Sequence, residues 1–253
     1  VVTVTDTNDE SPVFTSSDTI NVAEGATSVV TLTSTDGDAA DSGGPTYAID
    51  TNDNNLFSIN GAVVTLTNAA DFETPGCGSS SNTCTIVVSA TDLNSQVTQQ
   101  TITVTITDVN DQTPTYTAGD TTPSVAEGTT AVDTAVAITD TDTGDANVCT
   151  LAGSDAALFT CTLTGQTAYS LAFTNAPDFE TDASTDGDGD YDVTVTINDG
   201  AQDGATITYV VTVTDTNDQA PTYTAGDTTP SVAEGSTAVD TAVAITDTDT
   251  GDA

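Results

Sequence analysis

Residues 115–146, TYTAGDTTPSVAEGTTAVDTAVAITDTDTGDA, return at 222–253 with one change, Thr129 to Ser236. That is an offset of 107 residues, and a fixed period of this kind is the signature of a tandem array of small units. The first repeat is slightly shorter: TDTNDESPVFT at Thr5 recurs as TDVNDQTPTYT at Thr107, 102 residues on, and as TDTNDQAPTYT at Thr214, a further 107. The units read as 1–9 (last strand and linker of a preceding unit), 10–111, 112–218, and 219–253 (the first part of another). Residue 1 already lies inside a strand-like pattern, so the chain reads as an excerpt of a longer array. Within each unit the apolar period is two. TITVTITD (101–108), YDVTVTIND (191–199) and ATITYVVTVTD (205–215) alternate apolar residues with Thr or Asp, as half-buried strands do. In the first of these, Ile102, Val104 and Ile106 share one face and the Thr residues the other. About seven such runs per unit of roughly 100 residues, broken by Gly, Asp, Asn and Pro, predict an all-β chain of tandem Greek-key β-sandwiches.

Charge then narrows what these units can do. The 253 residues include 39 Asp and Glu and no Lys, Arg or His, a net charge of −39. High charge usually marks disorder, but the β-branched alternation and 36% hydrophobic content point to a folded chain with an external counter-cation. Nucleic acid and anionic membrane surfaces are excluded as direct partners. No apolar run approaches the roughly 18 residues of a spanning helix. The four Cys form two close pairs, Cys77 with Cys84 and Cys149 with Cys161. The spacing suits two disulfides and an oxidising compartment, the alternative being small buried hydrophobes. Cys77 and Cys84 would close a short loop. Cys149 and Cys161 lie 102 residues after Tyr47 and Ile59, which places their bond in the core.

The acids recur at five registers. VAEG supplies Glu24, Glu127 and Glu234; TDGD or TDTD supplies Asp36 and Asp38, Asp140 and Asp142, Asp247 and Asp249. DFE supplies Asp71 and Glu73, then Asp178 and Glu180; a lone Asp closes the next-to-last strand at Asp92 and Asp199. The run DxND closes each unit: Asp6, Asn8 and Asp9; Asp108, Asn110 and Asp111; Asp215, Asn217 and Asp218. In an extended chain, residues i and i+2 share a face, so DFE directs two carboxylates outward while Phe72 or Phe179 anchors in the core. Paired carboxylates are costly unless a cation sits between them.

In this order, the motifs resemble the cadherin repeat, with its Glu, DxD, DRE, xDx and DxNDN-Pro signatures. Residues 177–200, PDFETDASTDGDGDYDVTVTINDG, look most like bacterial cadherin-like repeats of surface adhesins and fibres. Phe stands where the family's DRE has Arg, and Glu10, Gln112 or Gln219 where its linker ends in Asn. The resemblance implies cadherin- or immunoglobulin-like sandwiches joined end to end by linkers that bind about three Ca2+ per complete junction. One complete junction would take Glu24, Asp71 and Glu73 from the upper unit, and Asp108, Asn110 and Asp111 from the linker. Asp140, Asp142 and Asp199 would come from the lower unit. A first, partial junction holds Asp6, Asn8, Asp9, Asp36, Asp38 and Asp92. A third holds Glu127, Asp178, Glu180, Asp215, Asn217, Asp218, Asp247 and Asp249. The chemistry agrees: Ca2+ takes hard oxygen ligands in flexible geometry, and eight carboxylates around three divalent ions leave two negative charges. With calcium the junction is expected to be stiff, and without it to hinge. The separate run DGDGDYD (Asp186, Asp188, Asp190, Asp192) has EF-hand-like alternation but no closing Glu or flanking helices, which favours a solvated loop.

The expected function is a non-enzymatic, calcium-stiffened extracellular rod or fibre, secreted or on a cell surface, serving adhesion or filament structure. Its partners are calcium, neighbouring repeats, and identical rods or a surface or matrix partner, with no membrane insertion of its own. A calcium-dependent carbohydrate-binding module is the alternative, and it would need an open coordination position. An enzyme is disfavoured: carboxylate pairs exist, but no His, Lys or Arg is present and no Trp to stack a sugar.

Overall fold

The structure, a computed structural model, describes residues 2–4, 7–38, 44–144, 146–224, 229, 231–237 and 244–249. Residues 1–110 and 111–253 form two compact units. The first holds β1 (Val13–Phe14), β2 (Thr19–Ala23), β3 (Ser28–Thr31), β4 (Ser34–Thr35), β5 (Thr46–Asn52), β6 (Phe57–Asn60), β7 (Val63–Leu66), β8 (Thr83–Thr91) and β9 (Val97–Thr107). The second holds β10 (Thr115–Tyr116), β11 (Ser124–Ala126), β12 (Ala131–Thr139), β13 (Val148–Ala152), β14 (Phe159–Thr164), β15 (Ala168–Phe173), β16 (Asp190–Asn198) and β17 (Ile207–Thr214). It also holds β18 (Thr222–Thr224) and β19 (Ala244–Thr246). A single 3-10 turn follows β5 at Asp53–Asn55 and β13 at Ala156–Leu158.

Each unit contains the expected sandwich. In the first, the sheet β2-β9-β8-β5 faces β3-β7-β6, with β1 and β4 pairing beside them. In the second, β11-β17-β16-β13 faces β10-β12-β15-β14. The opening strand divides between the sheets: β10 pairs antiparallel with β12, and β11 pairs parallel with β17. The first unit repeats this, β2 running parallel to β9 with Val22 opposite Ile106. The period-two reading holds residue by residue. Ile102, Val104 and Ile106 are buried in β9; Tyr191, Val193, Val195 and Ile197 are buried in β16. Each unit has one apolar core, drawn from both of its sheets.

The second core contains a polar chain that alternation does not reveal. Tyr169 in β15 and Tyr209 in β17 meet across the sheets, hydroxyl to hydroxyl at 2.9 Å. The Tyr209 hydroxyl donates to Asp133 Oδ2 at 2.9 Å. A bulge in β12 between Asp133 and Val136, with Ala135 at φ 56°, accompanies that contact.

Both disulfides form as paired. Cys77–Cys84 closes the short loop, and its two side chains are buried. The placement of Cys149–Cys161 in the core is corrected. It joins β13 to β14, the outermost strands of the two sheets, and its cysteines are only partly buried against the core. Alternation tells which face a residue is on, but not whether its strand lies at a sheet edge.

Candidate metal centre

A strand end, a loop and a linker are drawn together by the same hydrogen bonds in both repeats. Glu24 follows β2, and its Oε2 accepts the Phe72 amide at 2.8 Å while Oε1 accepts the Val109 amide at 2.7 Å. Glu127 follows β11 and does the same with Phe179 at 2.8 Å and Thr216 at 2.6 Å. One glutamate thus fixes the DFE loop and the start of the linker together. Asp71 and Asp178 cap the Thr74 and Thr181 amides at 2.8 Å and 3.1 Å. As a result, carboxylate oxygens of Glu24, Asp71 and Glu73 lie within 4.8 Å of one another, as do those of Glu127, Asp178 and Glu180.

The anchoring role expected of the DFE phenylalanine needs correction. Phe72 packs partly against its core, but Phe179 is 38% exposed. Neither lies in a strand, so the acids are brought together by their hydrogen bonds to Glu24 and Glu127, not by strand alternation.

The DxD acids are placed by a second recurring set of amides. Asp38 Oδ2 accepts from Asp9 and Glu10 at 2.9 Å and 2.7 Å. Asp142 Oδ2 accepts from Gln112 at 2.7 Å, and Asp249 Oδ2 from Gln219 at 2.9 Å. Residues Glu10, Gln112 and Gln219 therefore use their amides to hold the next DxD pair. Asp36, Asp140 and Asp247 each accept, on Oδ1, the amide two residues on, at 3.1 Å, 3.3 Å and 3.3 Å. The lone strand-end acids behave alike. Asp92 Oδ1 takes the Asn94 and Gln96 amides at 2.9 Å and 2.7 Å; Asp199 Oδ1 takes those of Ala201 and Gln202 at 2.7 Å and 2.6 Å.

In several of these acids the second oxygen is buried with no hydrogen-bond partner: Oδ2 of Asp36, Asp92 and Asp140. Burying a carboxylate oxygen without a partner costs free energy that a bound cation can return. In the second unit a further cluster joins loop, linker and DxD segment, with oxygens of Glu180, Asp215 and Asp249 within 4.8 Å of one another. Both Glu180 oxygens are buried and meet no hydrogen-bond partner from another residue. Burial pushes the Glu180 carboxyl above the usual range, its own amide partly offsets this, and the charges of Glu127, Asp215 and Asp249 add to the rise. Burial likewise raises Asp140; the Asp142 amide opposes it, and the charges of Asp142 and Asp199 reinforce it. The donor set is oxygen throughout, which fits a hard cation such as Ca2+ and not a thiolate- or imidazole-seeking metal.

Among the candidates, Asp6 lies outside the described residues. Asn8 is reached by Asn94 Nδ2, which donates to its carbonyl at 2.8 Å. One residue escaped the sequence pattern: Asn147, 6% exposed, lines a cavity with Asp140 and Asp142, its Oδ1 buried without a partner. The residue 102 positions earlier is Pro45, so no repeat signal marks this asparagine. Asp186 and Asp188 join no three-residue cluster among the described residues. Asp182 and Asp188 instead cap the Ser184 and Asp190 amides at 2.8 Å and 3.0 Å.

No curated protein matches the chain. Across solved structures it is similar to the Protocadherin gammaB7 EC3-6 cis-dimer, with TM-score 0.65 and 23% identity over 95% of this chain and 57% of that one. It is also similar to the human Desmocollin-1 ectodomain, with TM-score 0.63 and 20% identity over 85% of this chain and 44% of that one. Mouse clustered PcdhgC3 EC1-3 gives TM-score 0.60 and 21% identity over 84% of this chain and 70% of that one. At these identities the likeness is one of fold, and the chain spans about half the length of the first of them. The sequence of residues 18–107 matches the family described as Cadherin domain. Residues 18–107 thus form a cadherin domain, in a chain whose cadherin-like fold is seen in both of its units.

Proposed function

We propose that the chain is part of an extracellular, non-enzymatic adhesion or filament protein whose tandem repeats bind Ca2+ and are stiffened by it. One observation carries this reading: Glu180, Asp215 and Asp249, from three separate segments, gather within 4.8 Å in a chain that has no cationic side chain. Like charges at that distance repel, and their convergence is favourable only around a cation. The two amide-bonded glutamates, the DxD pairs and the strand-end acids support it, since each is held by backbone donors before any ion arrives.

Glu127, Asp178, Glu180, Asp215 and Asp249 would hold ions at one junction, with Asn217, Asp218 and Asp247 beside them in the same segments. The sequence carries the same acids 107 residues earlier, at Asp71, Glu73, Asp108, Asp140 and Asp142. Asn110, Asp111 and Asp199 belong to that set, and Asn8, Asp9, Asp36, Asp38 and Asp92 to the set before it. The bound ion supplies charge neutralisation and a fixed link between segments; the protein supplies placement. Two disulfides accord with an oxidising, extracellular setting, where millimolar calcium matches sites of about 10⁻⁴–10⁻³ M affinity. Among the described residues no helix is long and apolar enough to cross a membrane.

Calorimetric titration of the chelator-treated chain tests the reading. Calcium should bind at several sites and displace magnesium, which demands near-ideal octahedral geometry and dehydrates reluctantly, whereas the fold fixes where these carboxylates lie. Absence of calcium binding up to about 10 mM, well above extracellular-type affinities, would refute it.

A further inference from the structure

The loop that follows each DFE pair is braced differently in the two repeats. In the first, Cys77–Cys84 ties the loop to β8, and both side chains are buried, at 3% and 1% exposure. Asn82, two residues before Cys84, donates from Nδ2 to the Phe72 carbonyl at 2.9 Å, between Asp71 and Glu73. Its own carbonyl accepts the Ile106 amide at 2.8 Å, which anchors it to β9. The two cysteines line one apolar cavity together with Asp71 and Thr74. A weaker tie runs from the Gly78 amide to Asp53 Oδ2 at 3.3 Å.

In the second repeat the corresponding loop, 181–189, has no cysteine. Its brace is Asp155, 102 residues after Asp53 and 2% exposed. Asp155 Oδ1 accepts the Thr185 amide at 2.7 Å; Oδ2 accepts the Asp192 amide at 2.8 Å and the Ser154 hydroxyl at 3.1 Å. The Ala183 amide adds a bond to the Tyr191 hydroxyl at 3.2 Å. One buried carboxylate thus pins the middle of the loop and the start of β16.

We propose that this loop sets the calcium affinity of the acid pair before it, braced covalently by Cys77–Cys84 in the first repeat and by Asp155 in the second. The inference rests on the calcium reading above. These are positioning residues, and among the described residues none of the three joins an acid cluster. Groups that orient metal ligands from outside are worth tenfold to a hundredfold in affinity, because the ion no longer has to order the ligand segment itself. The two braces differ in chemistry, so the two acid pairs differ in what can weaken them. Opening the disulfide affects Asp71 and Glu73 alone. Altering Asp155 affects Asp178 and Glu180 alone.

The test is a calcium titration of the full chain, followed by calorimetry and by thermal midpoint at each calcium concentration. Cys77→Ser/Cys84→Ser and Asp155→Asn should each shift a subset of sites to about tenfold weaker binding, leaving the others unchanged. A purely structural loss would lower the thermal midpoint equally with and without calcium and leave the binding curve in place, and that result overturns the proposal. If the cysteine variant does not fold, Asn82→Ala removes the bond to the Phe72 carbonyl with the disulfide intact, and unchanged affinity there overturns it too. A wild type that binds no calcium removes the calcium reading itself; a wild type that binds, with variants that bind equally, removes only the brace.

Discussion

A carboxylate held by backbone amides on one oxygen, with the other oxygen buried, is a ligand waiting at fixed position. Asp36, Asp92 and Asp140 have that form, and Glu180 has both oxygens buried among other acids. Glu180→Gln should therefore act with opposite sign in two buffers. In chelator it removes a charge crowded by Glu127, Asp215 and Asp249, and the thermal midpoint should rise. In calcium it removes a ligand, and the midpoint should fall with affinity weakened at least tenfold, or about 1.4 kcal/mol. Scanning calorimetry in the two buffers checks both signs. Asp155 gives a pH prediction. Burial alone would push its carboxyl up, but hydrogen bonds from Thr185, the Asp192 amide and Ser154 outweigh this and hold it below the usual carboxylate range. A depressed folded value contributes stability that is present above the unfolded value of about 4 and lost as pH falls through the folded one. The stability difference between wild type and Asp155→Asn should thus shrink on acidification below about pH 4, and a pH-independent difference would contradict it.

At the scale of strands and loops, the second sandwich is joined across its core by Tyr169, Tyr209 and Asp133, where the first has an apolar Ile102 at the position of Tyr209. Tyr209→Phe leaves Asp133 and Tyr169 without their shared partner and should cost about 1–3 kcal/mol, read as an earlier unfolding transition of the second repeat. The disulfides should also respond unequally to a small thiol. Exchange needs a thiolate to reach a sulfur, so partly exposed Cys149–Cys161 should open before buried Cys77–Cys84, checked by alkylation and mass analysis. Much of this scale was legible in the sequence. The strands followed their period, and the acids their registers, because repetition separates placed charge from solvated charge. The exposure of Phe179 was not legible: DFE lies in a loop, where i and i+2 need not share a face. Neither was the placement of Asn147, which lines a cavity with Gln166 and the Asp140–Asp142 segment.

At the scale of the whole molecule, a net charge of −39 with no basic residue means that calcium, on the proposed reading, would stabilise the fold as well as its junctions. Folded units alone bring these acids together, so an ion that binds only the folded chain stabilises it by mass action. Scattering should report a narrower range of dimensions in calcium than in chelator, as stiffened junctions require. The most direct measurement is thermal unfolding of the full chain at constant ionic strength, in a few millimolar calcium, in equal magnesium, and in chelator. The midpoint should be highest in calcium, with a smaller rise in magnesium, and should increase with calcium concentration. Equal midpoints in calcium and chelator would contradict the calcium reading.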